Sequence, residues 1–76
     1  MPQILEPEIQ SVSFPKDKFN LIDIVEFLYK HHLVSLKSPH TIRNYTNIRI
    51  KHPSSFKRIR AKKLQNGIII RYGINY

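Results

Sequence analysis

Beyond Glu26 the chain has no carboxylate side chain. Its five acids, Glu6, Glu8, Asp17, Asp23 and Glu26, all precede Phe27, and only Lys16 and Lys18 accompany them there. The first 26 residues therefore carry −3, the remaining 50 carry +11, and the whole chain carries +8. A nuclease centre built on metal ions needs clustered carboxylates, and the last fifty residues have none to offer. Cysteine is also absent, which excludes disulfides and thiolate metal sites and fits an intracellular setting. Gly67 and Gly73 are the only glycines, so no glycine-rich phosphate loop exists. The longest unbroken apolar run is Ile68-Ile69-Ile70, far short of the ~20 residues a membrane helix needs. The N-terminus has no basic stretch leading into an apolar run, the mark of a secretory signal. Together these absences predict a soluble intracellular protein of the cytoplasm, nucleus or virus particle, with no membrane span, no cofactor and no enzymatic activity.

At 76 residues the chain makes one small domain. Such a domain buries only about 60% of its unfolded surface and is marginal alone. A homodimer is therefore an expected source of further burial. Residues 1–19 hold Pro2, Pro7 and Pro15 and lack helical periodicity. They read as an extended acidic arm, with Ser11 to Phe14 as a short edge strand where prolines are tolerated. Ile4, Leu5 and Ile9 on this arm have no evident partner within the chain and are expected to pack on a second subunit.

Residues 20–76 read as a basic α+β domain. Asn20 suits a helix N-cap and Asp23 suits the first turn. Leu21, Ile24, Val25 and Leu28 then recur at helical spacing, which predicts a helix over residues 20–32. Residues 33–45 fit either a short helix after Ser38-Pro39 or a loop. Three later segments alternate apolar and basic residues: Ile48-Arg49-Ile50-Lys51, Arg58-Ile59-Arg60-Ala61-Lys62 and Ile70-Arg71-Tyr72. Strict alternation predicts strands with one covered face. Asn66-Gly67 between the last two is a strong hairpin signal. The expected fold is one helix packed on a three-stranded antiparallel sheet, with a winged-helix-like arrangement as the alternative. A basic helix over residues 55–65 is the local alternative, since Phe56, Ile59 and Leu64 also fit a helical face.

In the sheet reading, Ile48, Ile50, Ile59, Ala61, Ile68, Ile70 and Tyr72 face the helix. Arg49, Lys51, Arg58, Arg60, Lys62 and Arg71 share the outer face. Six cations with no acid among them repel one another across strands, and an external polyanion relieves that repulsion. Tyr45, Phe56, Tyr72 and Tyr76 lie among these bases, and rings among cations suit stacked bases. The four histidines, His31, His32, His40 and His52, do not form a metal set: the first two are adjacent on a helix and point about 100° apart.

From Tyr45 to Ile70 the chain reads Y-x3-R-x-K-x-P-x2-F-x3-R-x-K-x-L-x2-G-I-x-I. Its landmarks include Tyr45, Arg49, Lys51, Pro53, Phe56, Arg60, Lys62, Leu64 and Gly67. This spacing resembles small uncharacterised proteins of DNA viruses and archaeal mobile elements. The resemblance implies a viral or mobile-element source and brings no activity with it. The expected function is non-enzymatic nucleic-acid binding, with DNA favoured over RNA, through phosphate contacts from the six cations. The alternative is a protein-interaction or assembly module, a homodimer whose basic face grips an acidic partner.

Overall fold

The computed structural model describes residues 7–75. Strand β1 (Glu8–Pro15) leads into helix α1 (Leu21–Lys30). Strands β2 (His40–Ile42) and β3 (Tyr45–Arg49) follow, then a 3-10 turn at Pro53–Ser55, β4 (Arg58–Lys63) and β5 (Ile69–Ile74). The strands form one five-stranded sheet in the order β2-β3-β1-β5-β4, and every neighbouring pair is antiparallel. The expected three-stranded sheet is thus corrected to five strands, and the winged-helix alternative to a single helix on that sheet. No helix among the described residues is long and apolar enough to cross a membrane.

The largest correction concerns the supposed arm. Its residues 8–15 form the central strand, paired with β3 on one side and β5 on the other. Proline argues against a central strand because it removes a ladder donor. Here Pro7 precedes the strand and Pro15 is its last residue, so the ladder between them is intact. Ile9 does not await a second subunit, because it sits opposite Tyr72 and packs against the core. Ile4 and Leu5 lie outside the described residues.

A bulge explains how Ile9 reaches that core. Between Ile9 and Ser11 the register with β5 shifts by one residue. The carbonyl of the extra residue, Gln10, accepts the amides of Ile50 and Lys51 at 2.9 and 3.0 Å. Its side-chain amide donates to the Lys51 carbonyl at 2.9 Å. The bulge lets Ile9, Val12 and Phe14 all point to the helix side, although simple alternation would send Ile9 the other way.

Helix α1 begins as expected. The Asn20 side chain accepts the Asp23 amide at 2.8 Å, and the Asp23 carboxylate accepts the Asn20 amide at 3.1 Å. This reciprocal pair satisfies two of the amides a helix start leaves free. The helix lays Ile24, Phe27 and Leu28 onto Val12, Phe14, Ile48, Ile68 and Ile70. Leu21, Ile22, Val25 and Tyr29 stay exposed, contrary to the expectation that Leu21 and Val25 belong to the packing stripe. Residues 33–45 are neither purely loop nor helix. They contain β2, joined to β3 by a two-residue turn whose Arg43 takes a positive φ of 51°.

Strand β4 settles the alternative for residues 55–65: it is a strand, and it lies at the sheet edge. Its facing differs from the expectation. Lys62 pairs with Ile70, Arg60 with Tyr72 and Arg58 with Ile74, so these three cations lie on the helix side. Ile59 and Ala61 point to the open face of the sheet. The hairpin loop is the cause. A two-residue Asn-Gly loop would place Ala61 opposite Tyr72. The actual loop has three residues, Gln65 to Gly67, closed by Leu64 amide to Ile68 carbonyl at 2.8 Å, with Gly67 at φ 90°. One residue more in the loop moves the register by one and reverses every β4 side chain. Ile59 is consequently 40% exposed.

Candidate nucleic-acid interface

Among the described residues, no helix or second sheet covers the sheet face away from α1. Register aligns its side chains in rows across the strands. One row runs Arg49 (β3), Ser11 (β1), Arg71 (β5) and Ala61 (β4). The next runs His40 (β2), Asn47 (β3), Ser13 (β1), Ile69 (β5) and Lys63 (β4). Strand spacing places the Arg49 and Arg71 backbones roughly 10 Å apart, two steps of about 4.8 Å. Both arginines are half-buried.

The alternation Ser11-Val12-Ser13-Phe14 produces this face from the same strand that makes the core. Val12 and Phe14 go down to the helix, and Ser11 and Ser13 go up. Ser13 is 2% exposed and sits in a hydrogen-bond chain: Arg71 Nη1 donates to Ser13 Oγ at 2.7 Å, and Ser13 Oγ donates to Asn47 Oδ1. This chain uses one of the five guanidinium donors of Arg71 and fixes the fork over the strand.

The segment after α1 walls this face on one side. Its Leu36 amide donates to the Arg49 carbonyl at 2.7 Å, which continues the hydrogen bonding of β3 beyond the reach of β2. With Pro53 opposite, the result is a groove of about 470 Å³. Lys37, His40, Arg49 and Arg71 line it together with Ser11 and Asn47, and no carboxylate is among its lining residues. Two aromatic rings bracket it along the strand direction. Tyr45 belongs to the row beyond Asn47, opposite Pro15 and Ile42. Phe56 covers Gly73, one row beyond Arg71 in the other direction. Gly73 leaves the space that this ring fills, since a Cβ there would fall inside the ring's van der Waals envelope.

The six cations expected on one face are therefore divided. Arg49 and Arg71 come together on the open face. Arg58, Arg60 and Lys62 project from the edge strand toward the helix side and are exposed. Lys51 lies past the end of β3, where its Nζ meets Glu8 at 2.6 Å. Arg60 and Lys62 flank Ala61 on the edge strand beside β5, and they project to the other side of the sheet from Arg49 and Arg71. Lys37, His40, Ser13 and Asn47 were not expected from the sequence. The serine alternation in β1 was a usable signal. Lys37 had none, because its segment has no periodicity. Tyr72 is half-buried on the helix side, and Tyr76 lies outside the described residues. Among the described residues no three His, Asp or Glu side chains gather as a metal site would require.

Comparison with known protein families, curated proteins and solved structures finds no match to this chain.

Proposed function

We propose that this protein is a non-enzymatic nucleic-acid-binding module, with DNA favoured over RNA. The observation that supports this most is the open-face row of Arg49, Ser11 and Arg71, with Arg58, Arg60 and Lys62 exposed on the other side of the adjoining edge strand. It forms a cationic track of two arginines with no acid between them, one row from Glu8, and the β4 cations extend it only around the sheet edge. Such a track is electrostatically unfavourable in isolation and becomes favourable when phosphates neutralise it. The cations of β4 have a second role that does not compete with this one. Charged side chains on an edge strand discourage pairing with a foreign strand.

A comparison at constant charge loss tests the reading. Arg58→Gln with Arg60→Gln, and Lys16→Gln with Lys18→Gln, each remove two positive charges from exposed sites. Both variants should keep their stability to within about 0.5 kcal/mol. The β4 pair should flatten the salt dependence of duplex binding by about 2 in log–log slope, one unit per lost phosphate contact. The Lys16/Lys18 pair should leave the slope nearly unchanged. Equal losses from both pairs would mean diffuse attraction without a defined surface.

An assembly role is the second reading, and the exposed side of α1 favours it. Leu21, Val25 and Tyr29 recur every four residues along that side, with Ile22 beside them, and Tyr29 is 84% exposed. The stripe is symmetric about Val25, so an antiparallel copy would set Val25 on Val25 and Leu21 on Tyr29, as a two-fold contact requires. Asp23 and Glu26 make this the least basic part of the molecule, which is where two chains of +8 meet with least repulsion. Sedimentation should show a concentration-dependent dimer that Val25→Glu abolishes. A monomer at every concentration would remove this reading and leave the basic surface untouched.

A further inference from the structure

We infer that the open-face groove is a seat for single-stranded nucleic acid, taking one backbone phosphate between Arg49 and Arg71 and neighbouring bases on Tyr45 and Phe56. This rests on the nucleic-acid reading and narrows it to one form of ligand.

Three features of the groove carry the inference. The first is preorganisation. Arg71 is held at the sheet surface by Ser13, which Asn47 holds in turn. A guanidinium fixed by a nearly buried hydroxyl presents its remaining donors without further ordering, and a planar fork matches phosphate oxygens. Ser11, 8% exposed, lies between the two arginines and lines the groove floor. Its hydroxyl supplies a neutral donor beside the charged ones.

The second feature is size. A volume of about 470 Å³ falls in the range of sites that hold one small ligand, roughly 300–1,000 Å³. It matches a nucleotide unit rather than a double helix. The donors lie on the floor between Lys37 and Pro53. A single strand can bend to put a phosphate there. A duplex is a stiff rod over this distance, with a persistence length of about 150 base pairs, and can reach only the rim.

The third feature is the pair of rings. Tyr45 and Phe56 lie on opposite sides of the arginine row along the strands, both half-exposed. From the Tyr45 row to the Gly73 row is six residues of strand, roughly 20 Å. A duplex keeps its bases stacked on each other, so rings on a sheet have nothing to stack on. A single strand offers unstacked bases to such rings.

Fluorescence anisotropy with a labelled twelve-nucleotide single strand and the matching duplex tests this on the full chain. The single strand is expected to bind at least tenfold more tightly. Tyr45→Ala should weaken single-strand binding by about tenfold, the loss of one stacked base, and leave duplex binding unchanged. Tyr45→Phe keeps the ring and should retain wild-type binding. Arg71→Gln should abolish the single-strand preference. Because Arg71 also braces Ser13, Lys37→Gln on the exposed rim is the companion variant, with a smaller loss in the same direction. Duplex binding equal to or tighter than single-strand binding, with Tyr45→Ala and Lys37→Gln unaffected, would overturn the groove assignment. If Arg58→Gln/Arg60→Gln still lost affinity in that case, the nucleic-acid reading would stand without the groove. Binding of neither ligand would overturn both.

Discussion

Phe14→Ala should remove most of the stability of this protein. Phe14 is fully buried on the central strand and meets two rings edge-on, Phe19 at 5.7 Å and Phe27 at 5.2 Å between centroids. It therefore joins the sheet to both the turn before the helix and the helix itself. Truncating a buried phenylalanine costs about 3–5 kcal/mol. A 76-residue domain holds only about 4–11 kcal/mol in total, at 0.05–0.15 kcal/mol per residue. With six buried apolar side chains among the described residues, this one belongs toward the lower end. The variant should melt roughly 12–40 °C below the wild type, at about 4–8 °C per kcal/mol for a domain of this size. Val34→Ala, at a side chain 79% exposed after α1, is the control and should shift stability by no more than about 0.5 kcal/mol. Thermal melts followed by circular dichroism measure both. A Phe14→Ala variant that melted with the control would mean that β1 is not the centre of the sheet.

The helix and the three C-terminal strands were legible in the sequence because their signals are local. Asn20 and Asp23 form a capping box by themselves. The alternation at Ile48–Arg49, Arg58–Lys62 and Ile70–Tyr72 depends only on neighbours. What was not legible depends on pairing. Pro7 and Pro15 made β1 read as an arm, because their harm to a ladder depends on where the strand ends. The face of β4 depends on whether the hairpin loop has two residues or three, and Asn66-Gly67 suits both. That parity decides whether Arg58, Arg60 and Lys62 join Arg49 and Arg71 or oppose them. Arg49 and Arg71 were found as sheet cations. Their company in the groove was not, because Lys37 reaches it through one backbone hydrogen bond from Leu36 to Arg49 that no pattern announces. Lys51 shows the converse: it fits the pattern, yet Glu8 on the neighbouring strand takes it up.

A second large effect is expected from salt. Lys51 is paired with Glu8, so of the expected six cations Arg49, Arg58, Arg60, Lys62 and Arg71 remain, joined by Lys37, and a strand that meets all of these crosses the β4 edge from the open face to the helix side. Each phosphate they neutralise releases condensed counterions, and added salt opposes that release. Six contacts give a slope of log affinity against log salt of roughly −4 on a single strand, and the four cations outside the groove floor that a duplex can reach, Lys37, Arg58, Arg60 and Lys62, give roughly −4 on duplex DNA as well. Between 50 and 200 mM salt, affinity should then fall by roughly a hundredfold to a few hundredfold for either ligand. An acidic protein partner lacks a condensed counterion atmosphere of that density, so its binding should respond far less steeply.

Anisotropy titrations of the wild-type protein against a labelled oligonucleotide, run in parallel with a labelled polyglutamate of equal charge over that salt range, test the central claim most directly. The account predicts tight oligonucleotide binding at low salt, a slope of roughly −4, and much weaker binding of polyglutamate. Oligonucleotide binding that is absent at low salt, indifferent to salt, or no tighter than that of polyglutamate would contradict it.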